Sequence, residues 1–185
     1  MDLGLAGRPV LITGGSGVIG LATALAFAAE GCALHLAARA GANLRAARED
    51  ISRDFDVPVT VHAVDLSRGE NARRLAETCA DVEVLVNNAG AIAGGGIEEV
   101  DEERWREGWG LKVFGYVNMT RALHRETKAR GRGVVVNVIG TAATRGRRTT
   151  RPVSRPMRPS RRSRGRSAGR ASTTAFGSSG SARAT

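Results

Sequence analysis

The stretch "PVLITGGSGVIGLATALAFAAEG" (Pro9–Gly31) constrains the fold more than any other part of the chain. Pro9–Thr13 is a continuous apolar run, the pattern of a strand buried on both faces. Ala, Leu and Phe then recur at helical spacing as far as Gly31, a residue suited to a helix C-terminus. Between strand and helix lie Gly14, Gly15, Gly17 and Gly20. Absent side chains at such a junction let backbone approach an anionic group, and the helix N-terminus supplies N–H groups and partial positive charge. The same glycines also suit a tight turn that binds nothing.

The alternation continues. "ALHLAA" (Ala33–Ala38), "PVTVHAVDL", "VEVLVNNAG" and "GVVVNVIG" read as the second to fifth strands. "GANLRAAREDISRDF" and "RGENARRLAETCA" read as the intervening helices. The segment "DEERWREGWGLKVFGYVNMTRALHRETKARG" holds one long helix from about Glu107, with room for a shorter one before it. Strands apolar on both faces and separated by helices imply an α/β fold, a doubly wound parallel sheet covered on both sides. Trp105 and Trp109, four residues apart, read as packing residues on one helix face.

Charge divides the chain in two. The last 41 residues carry 12 Arg, no Lys and no acid, while the 144 before them carry 16 basic and 18 acidic groups. Residues 1–144 are therefore expected to form the folded domain. Residues 145–185, poor in apolar side chains, are expected to be a disordered Arg-rich tail. "LATALAFAA" is too short to span a bilayer, and no secretory pattern opens the chain, so a cytoplasmic protein without a membrane partner is expected. Cys32 and Cys79 read as reduced core residues. The histidines His35, His62 and His124 show no ligand spacing, and no metal site is expected.

"VDL" (Val64–Leu66) closes the third strand and "NNAG" (Asn87–Gly90) the fourth. Together with the glycine loop and the final "GVVVNVIGT", they resemble the short-chain dehydrogenase/reductase family over about Gly7–Ala143. The resemblance implies a Rossmann-like domain, here incomplete at its C-terminal side, that binds NADP(H) or NAD(H). It implies that Gly14, Ser16, Gly17, Ile19 and Gly20 wrap the pyrophosphate. Asp65 and Leu66 would hold the adenine, and Asn88, Ala89 and Gly90 would line the ribose and the path to the nicotinamide. The loop departs from the single-domain members' TGxxxGxG, since Val18 stands where Gly is needed. It fits the TGxxGxxG of longer members instead, with Gly17 taking the close-approach role.

The second strand ends Ala37-Ala38-Arg39 with no acid to accept the ribose hydroxyls. Arg39 can pair bidentately with a 2′-phosphate, which favours NADP over NAD. A solvated arginine at the start of a loop is the alternative.

The family's chemistry is reversible alcohol–carbonyl hydride transfer on a small-molecule alcohol or ketone, served by Ser, Tyr and Lys, often with Asn. "NVIGT" places Thr141 at the Ser position, where its hydroxyl can donate to a substrate oxygen. "KVFGYVNMTRA" resembles the family's "NLxGxFxxTRA" and places Lys112 where Asn is expected, either as a cation near the site or as an ordinary solvated lysine. Tyr116, the chain's single tyrosine, reads as a core residue. No Tyr or Lys follows Lys128, so the Tyr-x-x-x-Lys pair is absent. In the family, later elements also shape the substrate pocket and much of the homo-oligomer interface.

Three readings of function stand. The first is an NADP(H)-preferring oxidoreductase of this family, impaired by loss of its acid/base. The second is a non-catalytic dinucleotide-binding protein or remnant. The third is nucleic-acid binding through the basic tail, which carries no reader motif and only Phe176 as an aromatic platform. The tail's alphabet fits an out-of-frame readout of GC-rich codons. A shifted frame can spell Asp, Tyr, His or Asn at each of the Thr149 and Thr150 codons and an amphipathic helix beyond them. With the chain ending there, the fifth strand is expected to be an exposed apolar edge and the molecule marginally stable.

Overall fold

The computed structural model describes residues 3–90, 94–95, 98–140 and 172–175. Five parallel strands form the sheet: β1 (Pro9–Thr13), β2 (Ala33–Ala38), β3 (Val59–Ala63), β4 (Val84–Asn87) and β5 (Val134–Asn137). A sixth, β6 (Ser172–Ala175), runs antiparallel to β5. The order is β3-β2-β1-β4-β5-β6. The chain moves outward from β1 to β2 and β3, then returns to the other side of β1 as β4. That reversal opens a crevice at the carboxyl ends of β1 and β4, where ligands of open α/β sheets bind.

Helices cover both faces. Val10, Ile12, Leu34, Leu36 and Val86 pack with Leu44, Ala47 and Ile51 of α2 (Gly41–Asp54) and with Ala24 and Ala28 of α1 (Val18–Ala29). Leu11, Ala37 and Leu85 face the other way, onto Leu75 of α3 (Gly69–Thr78) and Met119 and Leu123 of α5 (Gly115–Arg130). Successive strand residues thus feed opposite cores, which is why these strands are apolar on both faces.

A helix precedes the long one, as the sequence leaves room for, and the two are continuous. α4 (Glu102–Trp109) is capped by the Asp101 carboxylate, which accepts from the Arg104 amide at 2.9 Å. It passes through a π-helical turn (Gly110–Phe114) into α5, which ends at Gly131 in the left-handed conformation (φ 70°). Trp105 and Trp109 are not packing residues: they are 40% and 57% exposed, and Val113 and Val117 continue the same outer stripe.

The edge beyond β5 also differs from expectation. Ser172–Ala175 pairs with it, Val134 opposite Ala175 and Asn137 opposite Ser172. These four tail residues are strand rather than disordered, because β5 offers a row of unpaired backbone groups to any nearby extended segment. The rest of the tail lies outside the described residues. β5 itself is only half-buried along its length. Cys32 and Cys79 are free and buried. Among the described residues no helix is long and apolar enough to cross a membrane.

Candidate cofactor site

Thr13 ends β1 with its side chain buried. Its hydroxyl donates to the Val86 carbonyl at 3.3 Å and accepts from the amides of Asn88 at 2.9 Å and Ala89 at 3.0 Å. The Asn88 side-chain amide answers from the other strand, donating to the carbonyls of Thr13 at 3.1 Å and Gly14 at 3.2 Å. The loops that follow β1 and β4 are therefore fastened to each other. Asn88 is a positioning residue for the glycine loop, and Ala89 and Gly90 face the crevice beside it.

The loop admits no side chains at two points. Gly14 has φ 67°, and a Cβ there would lie 2.9 Å from the Asn88 amide nitrogen. A Cβ on Gly20 would sit 2.1 Å from the Gly14 carbonyl oxygen. Helix α1 consequently starts flush against the loop. Its N-cap, Gly17, has extended backbone and no capping side chain, and the first turn holds no acid. Ser16 is half-buried, and Gly17 and Ile19 are exposed at this opening. The start of α1 thus presents positive dipole with no acid in its own first turn, which suits a pyrophosphate.

From there a cleft of about 150 Å³ runs along the strand ends, between Gly14, Ala38, Arg39, Leu66, Gly90 and Leu111. Leu66 is buried and forms one wall. The Asp65 carboxylate accepts from the Ser67 amide at 3.0 Å. That bond, helped by the charges of Arg39 and Arg68, holds it below the usual carboxylate range, so it stays ionised. Arg39 is exposed at the mouth of the cleft. The residues fit a dinucleotide: glycine backbone for the phosphates, an apolar slot for the adenine and a guanidinium near the ribose.

Lys112 lies in the π-helical turn, half-buried and held by two hydrogen bonds. Its ammonium donates to the Tyr116 hydroxyl at 2.6 Å and to the Val138 carbonyl at 2.7 Å. Its stem lies so close to Gly90 that a Cβ there would meet Lys112 Cδ at 2.7 Å. Tyr116 is likewise more than a core residue, since its hydroxyl donates to Val138 at 3.0 Å. Burial lowers the Lys112 pKa and pushes the Tyr116 phenol up to about 12. A cation is thereby fixed between the ends of β4 and β5. Thr141, three residues past Val138, lies outside the described residues.

A paired motif escaped the sequence reading. Asn87 and Asn137 stand opposite each other in β4 and β5, and the Asn87 amide donates to Asn137 Oδ1 at 3.0 Å and to Thr120 Oγ1 at 3.1 Å. The signal was two asparagines closing otherwise apolar strands. A separate cavity of about 440 Å³, lined by β5 and the C-terminal half of α5, does not border the glycine loop and reflects the thin cover over β5.

Fold and site together define a Rossmann-like dinucleotide-binding domain. The short chain dehydrogenase family model matches residues 8–152. The chain belongs to the short-chain dehydrogenase/reductase family. It is 36% identical over 140 residues to 11-beta-hydroxysteroid dehydrogenase A of Sesamum indicum, covering 72% of this chain and 40% of that one. L-sorbose reductase of Gluconobacter frateurii, solved with NADPH and L-sorbose, superposes with a TM-score of 0.75 at 33% identity, covering 80% of this chain and 58% of that one. An NAD+-bound xylitol dehydrogenase superposes at 0.73 with 26% identity, covering 77% and 56%. The chain spans about half the length of the relatives it matches.

Proposed function

We propose that this chain is the cofactor-binding part of an NADP(H)-preferring oxidoreductase that acts on a small-molecule alcohol or ketone in the cytoplasm. The observation that carries the reading is the fastening of the glycine loop to the "NNAG" loop through Thr13 and Asn88, which sets α1's N-terminus at the head of the cleft. Gly14, Ser16, Gly17, Ile19 and Gly20 would hold the pyrophosphate, Leu66 and Asp65 the adenine end, and Gly90 the path toward the nicotinamide. Arg39 at the cleft mouth favours NADP over NAD through a bidentate pair with the 2′-phosphate. When bound, the nicotinamide supplies or accepts hydride.

In this reading Thr141 donates to the substrate oxygen. Lys112 keeps positive charge beside the strand that delivers Thr141. Neither replaces a proton donor of suitable pKa, since Tyr116 holds its proton up to about 12. No other tyrosine occurs in the sequence. The chain is therefore proposed to bind cofactor and to turn over poorly. The Arg-rich tail is proposed to be an out-of-frame readout.

An NADPH oxidation screen against ketones and ketoses tests the catalytic half of this reading. Binding with no turnover above the uncatalysed rate is the expected result, and turnover at ordinary enzyme rates contradicts it. Sequencing the coding DNA across Thr141–Arg170 tests the tail. A shifted frame that meets an early stop, or lacks a Tyr codon near Thr149–Thr150, removes the out-of-frame explanation.

A further inference from the structure

His35 and His62 lie on neighbouring strands. β2 pairs with β3 so that His35 opposes Thr60 and Ala37 opposes His62. The two imidazoles therefore share a sheet face, one diagonal step apart. Cys79, the C-cap residue of α3, lies over that face with its side chain buried. His35 Nδ1 is 3.0 Å from His62 Nε2, and Cys79 Sγ is 3.5 Å from the first and 3.6 Å from the second. We propose that His35, His62 and Cys79 bind one Zn²⁺ ion, with a fourth position left for water. The expectation of no metal site considered spacing along the chain, whereas this cluster forms across the sheet.

The triangle has the dimensions of a zinc site. Zn–N bonds of about 2.05 Å and Zn–S bonds of about 2.3 Å at tetrahedral angles separate two nitrogens by about 3.3 Å and sulfur from nitrogen by about 3.6 Å. Hydrogen bonding alone serves it poorly. Each neutral imidazole nitrogen is either a donor or an acceptor. Once one ring donates to the other, the thiol can only share a proton or lone pair already engaged. A cation takes a lone pair from all three atoms.

The surroundings suit a cation as well. The Asp81 carboxylate acts on both His35 and Cys79. Binding releases the Cys79 thiol proton as sulfur bonds to metal. The two half-buried rings leave a way in from solvent. None of the three residues belongs to the dinucleotide site. The ion would tie edge strand β3 to the end of α3.

Co²⁺ titration of the chelator-treated 185-residue chain tests this. The expected result is a thiolate-to-cobalt charge-transfer band in the near ultraviolet, with intense visible bands of tetrahedral cobalt, saturating at one equivalent and erased by Zn²⁺. Cys79→Ser should abolish the charge-transfer band and His62→Gln should weaken binding at least tenfold, while Cys32→Ser should change neither. A wild-type chain that shows no charge-transfer band overturns the proposal, whatever the variants do. So does a band that survives in Cys79→Ser or disappears in Cys32→Ser.

Discussion

Lys112 and Tyr116, one helical step apart, converge on a single acceptor: ammonium and phenol both donate to the Val138 carbonyl, at 2.7 and 3.0 Å. The ammonium also reaches the phenol oxygen at 2.6 Å and lies 4.6 Å from the centre of its ring. The first titratable event at this junction is loss of the lysine proton, and the second is loss of the phenol proton.

The pH dependence follows from the two directions. Burial lowers the Lys112 pKa below 10.5, so below 10.5 and above its folded value the unfolded chain binds more protons, and stability rises with pH there. Tyr116 is raised from 10.0 to about 12, so its contribution is fully present below pH 10 and lost as pH climbs to about 12. With one tyrosine in the chain, phenolate absorbance reads this group alone. A midpoint near 12 is expected in the folded protein, and a midpoint near 10 before unfolding contradicts the burial of the phenol.

Thr13 is the second test. Thr13→Ala leaves the amides of Asn88 and Ala89 without their acceptor. Each orphaned donor costs about 1–3 kcal/mol. Urea denaturation should show a loss of at least about 2 kcal/mol, and Thr13→Ser should recover most of it. A Thr13→Ala chain as stable as the wild type would mean that the two loops are not held through this hydroxyl.

Arg39 carries the cofactor preference. Arg39→Gln should weaken NADPH by about 10–100-fold, the worth of a charge-assisted pair, and leave NADH nearly unchanged. Equal losses for both cofactors would move Arg39 from 2′-phosphate recognition to a general role.

The alternation of apolar runs and helical patterns carried the layout of the parallel sheet, because each buried strand and each amphipathic helix declares itself locally. The glycine loop was legible for the same reason: its chemistry lies within eight consecutive residues. What was not legible depends on pairing across the sheet. His35 and His62 are far apart in sequence and meet only through the β2–β3 register. The Asn87–Asn137 bond needs the β4–β5 register. Lys112 and Tyr116 are a visible four-residue pair, yet the π-helical turn and the distant Val138 carbonyl decide what they do. Trp105 and Trp109 have the spacing of a packed face, but periodicity does not say whether anything packs against it. β6 has no apolar pattern and is set by the open edge of β5.

Calorimetric titration of NADPH into the 185-residue chain, repeated with Gly20→Ala, tests the cofactor site most directly. A Cβ at Gly20 falls 2.1 Å from the Gly14 oxygen, so loop or helix must shift. The account predicts saturable one-to-one binding to the wild type, tighter for NADPH than for NADH, and at least tenfold weaker for Gly20→Ala. No binding to a folded wild-type chain, or equal binding to both proteins, would contradict it.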